Sequence, residues 1–403
     1  MTKKVAYFLV ISLLLGTSFS VHAATDDTRY FVKSNSSFWK KSFGVRHSFE
    51  DGFTTDATDW QLKLAKIFGV EVEPVKKLYV LPAASDSDSN KVDTSVKAKP
   101  TPTPASPARP KPSDQTPWGI ETIYSNSLLQ ETSGGSDISV AVLDTGIYKT
   151  HPDLKNRVKE CKDFTSAKTP FTDGRCDDKN GHGTHVSGII AADGGSDGLG
   201  IYGVAPGASI WSYKVCSNNG SCWSDDIAVA IKTAADAGVN IINLSLGSDS
   251  GSPLIKDAVA YAVSKKVLVV AAAGNDGPYD GSIDYPAAYT DVVAVGALDV
   301  NLIVTDWSSR GLNESSTPYV LEEKDIELAA PGANVESTWK DGGYVILSGT
   351  SMASPHVAGL AAKLWQKDAE NPALETRNLL RKFSLDILPS GDDNSSGWGL
   401  PRL

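Results

Sequence analysis

From residue 116 onward the chain alternates short, unbroken apolar runs with longer stretches of helical spacing. The runs are SVAVLD (139–144), ASIWSYKV (208–215), VNIINLSLG (239–247), KVLVVAAAG (266–274), DVVAVGAL (291–298) and DIELAAPG (325–332). Each is continuous rather than alternating, which predicts strands covered on both faces, as in a parallel sheet. Between them SDDIAVAIKTAADAG predicts a helix with Ser224 as cap, an acidic first turn and a stop at Gly238. SPLIKDAVAYAVSKK predicts a second, with Ser252 as cap and Pro253 at the first helical position. Strand, helix, strand repeated in this way predicts an α/β fold: a doubly wound, mainly parallel sheet with helices on both faces. Functional groups then belong beyond the carboxyl ends of the strands, and Asp144 ends the first of them.

Ahead of residue 116 the texture differs. Residues 1–23 begin with Lys3 and Lys4, continue as an apolar run from Val5 to Gly16 and end in Val21-His22-Ala23. This is the pattern of a secretory signal peptide. A membrane anchor is the alternative, but the run is shorter than the ~20 residues a span needs. Residues 24–82 form a block in which RYFVKS and GVEVEPVKKLYVLP predict strands around a helical DWQLKLAKIFG, a small α+β unit. Residues 83–115 are dense in Ser, Asp, Lys and Pro without apolar periodicity and predict a semi-extended, disordered linker. Residues 116–403 are the main domain.

Composition narrows the function classes. With 38 basic and 48 acidic residues the net charge is −10, which disfavours nucleic acid or an anionic membrane as partner. Four cysteines fit an oxidising destination outside the cell. They allow three connectivities. The local pairs Cys161 with Cys176 and Cys216 with Cys222 are expected, and a zinc site is disfavoured because neither spacing is Cys-x-x-Cys.

The triplet Asp144-Thr145-Gly146 suits two chemistries. An aspartic protease needs a second such triplet; Asp249-Ser250-Gly251 is present, but in a polar stretch and not at the end of an apolar strand. The other chemistry uses one aspartate to orient a histidine beside a nucleophile. NGHGTHVSGIIAA (180–192) sets His182 at the start of a helix of small residues, and LSGTSMASPHVAGLAAKLW (347–365) does the same for Ser351. A helix N-terminus also aims backbone N–H groups at a developing oxyanion.

Those three blocks, in that order, together with VVAAAGNDGP (269–278), resemble the subtilisin family of secreted, bacillus-type serine endopeptidases. The resemblance implies that Ser351 is the nucleophile, His182 its base, Asp144 the orienting carboxylate and Asn275 an oxyanion donor. It implies hydrolysis of protein and peptide substrates through an acyl-enzyme. The substrate would bind as an added strand between Ser245-Leu246-Gly247 and Gly220-Ser221-Cys222. By the same resemblance residues 245–247 and 272–276, including Gly274, wall the first specificity pocket. Asp284 would stand at its base and Asp276 at its rim, favouring basic side chains. His185 and His356 match non-catalytic positions. Calcium is the implied cofactor, bound by Asp153, Asp197 and the carbonyls of Leu199 and Ile201. The block 24–82 resembles the inhibitory pro-domain of such enzymes, although ~30 linker residues separate it from the main domain. A secreted monomer with its own pro-domain as partner is the expected whole; a catalytically inactive binding protein on the same fold is the alternative of a different class.

Overall fold

The computed structural model describes residues 29–80, 108–166, 169–313, 320–387 and 390–403. The expected signal peptide and linker residues 83–107 lie outside the described residues. The chain divides into two units after Val75.

In the first unit β1 (Arg29–Val32) pairs antiparallel with both β2 (Phe53–Asp56) and β3 (Val72–Pro74). Helix α1 (Ser37–Phe43) turns Trp39 and Phe43 inward. Helix α2 (Asp59–Ile67) opens on a capping box, in which Thr58 and Gln61 satisfy each other's backbone N–H. A core of Val32, Trp39, Phe43, Phe53, Ala57 and Ala65 holds this α+β unit together.

The second unit begins with β4 (Lys77–Val80) and, from residue 108, contains α3 (Trp118–Ile123) and the main sheet. That sheet has the order β14-β13-β12-β10-β5-β8-β6-β7. Its members are β5 (Ser139–Asp144), β6 (Val158–Asp163), β7 (Thr172–Asp173), β8 (Ser209–Lys214), β10 (Ile241–Leu244), β12 (Leu268–Ala272), β13 (Val293–Leu298) and β14 (Leu328–Pro331). Every pairing is parallel except β6 with β7. All residues of β10, β12, β13 and β14 are buried, because helices cover both faces. Helices α4 (His182–Ala191) and α7 (Thr350–Lys363) pack together, as do α5 (Ser224–Asp236) and α6 (Pro253–Ser264).

Small residues make α4 possible. A Cβ on Gly183 would come within 2.2 Å of the Gly146 carbonyl, and one on Gly188 within 2.4 Å of the Thr338 and Ser337 hydroxyls. The start of α5 differs from expectation: Ser224 is its first helical residue, and Trp223, the last residue of β9 (Ser221–Trp223), holds the cap position. Ser252 does occupy the cap of α6, but its side chain makes no capping bond.

Short pieces complete the unit: β11 (Leu246–Gly247), the hairpin β15 (Val335–Thr338) with β16 (Tyr344–Leu347), helix α8 (Pro372–Lys382), and β17 (Ser384–Leu385) with β18 (Leu400–Pro401). Both expected disulfides are formed, Cys161 to Cys176 and Cys216 to Cys222, leaving no free cysteine among the described residues. Residues 108–115 are anchored: Arg109 exchanges backbone hydrogen bonds with Tyr344, and its guanidinium and the Ser113 N–H both donate to buried Glu336.

Candidate active site

Strand β5 delivers Asp144, 1% exposed, to the carboxyl edge of the sheet. Oδ1 accepts from the Thr145 N–H at 2.7 Å, and both carboxylate oxygens lie 2.9 Å from His182 Nδ1. The imidazole therefore carries its proton on Nδ1 toward the carboxylate, leaving Nε2 as the basic nitrogen. Nε2 has no hydrogen-bond partner among the described residues. Ser351 stands in the first turn of α7, behind Gly349 at φ 155°. Its Oγ donates to the Ser245 carbonyl at 3.2 Å, and Ser245 Oγ donates back to the Ser351 carbonyl at 2.9 Å. No hydrogen bond joins Ser351 Oγ to His182 Nε2 among the described residues.

Asn275 follows β12. Its Oδ1 accepts from both the N–H and the hydroxyl of Thr350 at 3.0 Å, which fixes the carboxamide beside Ser351. Gly274 donates to the same hydroxyl and holds φ +113°.

The chain's own β4 lies between the two edges expected to bind substrate. On one side Tyr79 pairs with Gly247 and Val80 with Leu246. On the other, Lys77, Leu78 and Tyr79 pair with Trp223, Cys222 and Ser221, and the Val80 N–H donates to the Gly220 carbonyl at 2.9 Å. Both pairings are antiparallel. A Cβ on Gly220 would meet Val80 Cγ2 at 2.7 Å, so glycine keeps this edge open to the guest strand.

Asp284 is fully buried, with its N–H on the Ala273 carbonyl at 2.7 Å. Its carboxylate sits against Gly247 and Gly274, within 3.0 Å of where either Cβ would stand. It lies between the two expected pocket walls. Carboxylate oxygens of Asp249, Asp276 and Asp284 come within 4.8 Å of one another. Asp249, read above only against an aspartic protease, is exposed in the loop after β11.

Around the expected calcium ligands, Asp153 is 1% exposed; Oδ2 accepts from the Ile201 N–H and the Tyr344 hydroxyl, both at 2.8 Å, while Oδ1 has no partner among the described residues. Burial pushes its carboxyl above the ordinary range, a cost that a bound cation would offset. Asp153 Oδ1 and Asp197 Oδ1 face each other across Gly195, 2.9 and 3.4 Å from its Cβ position. Asp197 Oδ1 also accepts from the Leu199 N–H. The Ile201 carbonyl accepts from Gly194 N–H, so one of its lone pairs is already engaged. Sequence reasoning missed Gln115, whose carboxamide reaches the Gly198 and Gly200 carbonyls of the same loop; nothing in its local sequence announces that contact.

His185 and His356 are buried. Burial, and for His185 the proximity of His182, press their pKa values to about 3 and about 4. His185 Nε2 bonds the Val335 and Val345 carbonyls, and His356 Nδ1 the Met352 carbonyl, so both are neutral structural groups.

A mainly parallel α/β sheet with an Asp–His pair at one strand end and a serine at the start of a helix packed on the histidine's own helix is the architecture of a serine endopeptidase of the subtilisin type, acting on proteins. The Subtilase family profile matches residues 135–399. Subtilisin of Bacillus sp. (strain TA39) is 45% identical over 90% of this chain and 87% of its own length. M-protease of Shouchella clausii (strain KSM-K16) is 33% identical over 97% and 94%. Among solved structures, Sphericase is 50% identical with a TM-score of 0.70 over 73% of this chain and all of its own, and S41 Psychrophilic Protease is 50% identical with 0.69 over 72% and 99%. The chain belongs to the subtilase family.

Proposed function

We propose that this protein is exported and processed, and that it cleaves polypeptides through Asp144, His182 and Ser351. Ser351 Oγ attacks the scissile carbonyl carbon while its proton passes to His182 Nε2. The resulting oxyanion accepts from the Asn275 carboxamide and the Ser351 N–H. His182 returns the proton to the leaving amine, and water, deprotonated by the same nitrogen, releases the acyl group. Asp144 holds the ring and stabilises the imidazolium. The observation that carries the reading is β4, an extended segment lodged between Ser245–Gly247 and Gly220–Cys222 next to the serine. Main-chain pairing of this kind binds many sequences with little regard to side chains.

The same strand supports reading residues 24–82 as an inhibitory pro-domain; of the expected linker 83–115, residues 108–115 are instead anchored on the catalytic body, which leaves 83–107 as the tether. A calcium ion fits Asp153, Asp197, the carbonyls of Leu199 and Ile201, and Gln115 turned to present Oε1; the buried, unpartnered Oδ1 of Asp153 supports this. Bound there, the ion would tie Asp153 to the 193–201 loop as a structural clamp. The acidic floor at Asp284, with Asp249 and Asp276, supports a preference for Lys or Arg at P1. No helix among the described residues is long and apolar enough to cross a membrane, and we read the mature enzyme as a monomer. In the deciding experiment Ser351→Ala abolishes peptidase activity and the secreted chain keeps its precursor mass. A mature-length Ser351→Ala chain from a protease-free host would sink self-processing.

A further inference from the structure

Asp178 belongs to none of the groups above, yet it is 5% exposed and surrounded by donors. Oδ1 accepts from the Thr145 hydroxyl at 3.0 Å, the Asn180 N–H at 3.0 Å and the Gly181 N–H at 2.7 Å. Oδ2 accepts from the Thr184 N–H at 3.0 Å and the Thr184 hydroxyl at 2.7 Å. Three of these donors, from Gly181 and Thr184, belong to the start of α4, flanking His182; another belongs to the residue that follows Asp144. The Thr145 hydroxyl in turn accepts from the Gly183 N–H at 3.0 Å, and the Thr184 hydroxyl from the Tyr148 N–H at 2.9 Å.

We propose that Asp178 is a positioning residue, clamping the turn after Asp144 to the first turn of α4 so that the carboxylate and His182 share one rigid frame. The inference rests on the Asp144–His182–Ser351 reading. The backbone around it is built for the same clamp. A Cβ on Gly146, at φ +114°, would strike the Cys176 carbonyl at 2.3 Å, so the turn and the loop leading to Asp178 are in direct contact. That loop is pinned by the Ile147 N–H on the Cys176 carbonyl and by the Cys161–Cys176 disulfide. Lys214 Nζ, buried beneath the turn, donates to the Thr145 carbonyl and places a positive charge near the buried carboxylates. A charge-assisted cluster of five donors from four residues resists small shifts, and displacement of a catalytic group by ~1 Å costs about 10²-fold.

Asp178→Ala should lower kcat about 10²-fold with KM within about twofold, measured per titratable active site. Asp178→Asn, which keeps one acceptor oxygen, should recover part of the loss. Thr145→Val removes the hydroxyl bridge, and combined with Asp178→Ala should cost no more than the worse single variant, because both act through one linkage. A loss carried by KM or by the fraction of titratable sites, or losses that multiply, would overturn the proposal. If Asp178→Ala does not fold, Asp178→Asn and Thr145→Val form the same cycle. Ser351→Ala assayed alongside separates the outcomes: its remaining active would overturn the triad reading itself.

Discussion

Replacing Asp284 by glycine should remove most of the preference for basic side chains at P1. The perturbation is clean because Asp284 lies between Gly247 and Gly274, where removing the side chain leaves both walls without steric conflict. A Lys or Arg side chain reaching within about 4 Å of the carboxylate gains ~4 kcal/mol of gross attraction at an effective dielectric near 20. Desolvation of both charges takes back part of this, leaving roughly 1.5–3 kcal/mol for a charge-assisted bond, or about 10- to 100-fold in kcat/KM. Otherwise identical peptides with Lys, Phe or Glu at P1 measure it. The wild-type enzyme should cut Lys peptides over Phe by that margin and Glu peptides worst. In Asp284→Gly the Lys to Phe ratio should fall, with any residue of preference owed to Asp249 and Asp276. Salt divides the contributions: exposed Asp249 is screened strongly at 1 M, where the Debye length is about 3 Å, while buried Asp284 is not. An unchanged Lys to Phe ratio in Asp284→Gly would remove this carboxylate from the pocket.

Three further outcomes are expected. Asn275→Ala should reduce kcat about 10²- to 10³-fold with little change in KM, a magnitude established on subtilisin itself; a loss confined to KM would remove it from the oxyanion site. A chelator should lower the melting temperature while calcium restores it, since a site present only in the folded state stabilises by mass action; an unchanged transition in metal-free protein counts against the Asp153 site. Arg377→Ala should cost about 3–5 kcal/mol in chemical unfolding, because it strips one of two guanidinium partners from fully buried Glu327. Burial alone would raise the Glu327 carboxyl, but Arg377 and Arg381 outweigh it and hold the group below its ordinary value. Its contribution is therefore complete above the unfolded pKa of about 4.3 and is lost as pH falls through the lower folded value, so the variant's deficit should shrink in acid.

The parts legible in the sequence were those whose surroundings write themselves into local composition. The strands around Ile241, Leu268 and Val293 are buried on both faces, so every position is apolar and the run declares itself. Asp144, His182 and Ser351 sit inside blocks of small residues that close helix packing demands. What stayed hidden depends on distant partners. The two-residue strand β11 and three-residue β9 exist because β4 pairs with them, and neither has a pattern long enough to show a period. Ser224 misled because β9 runs straight into α5, leaving Trp223 at the cap. Asp178, Gln115 and Asp249 have ordinary neighbours in sequence and acquire their settings only through contacts with residues 145, 198–200 and 284.

The strand lodged in the cleft is part of the same covalent chain as the catalytic body, and its hold is therefore a matter of concentration as well as of pairing. A segment joined covalently to the body that binds it is held at an effective concentration on the order of millimolar. A substrate with a KM between about 1 μM and 1 mM meets a competitor that never dilutes. The hydrogen bonds made by residues 77–80 are of the kind any extended peptide could make, so once the chain between Val80 and Ala108 is cut, the strand must compete at its bulk concentration instead. On the proposed pro-domain reading, the onset of activity would be governed by the severing of that tether and by dilution of the freed segment. A dense culture and a dilute one holding the same enzyme should accordingly switch on to different extents.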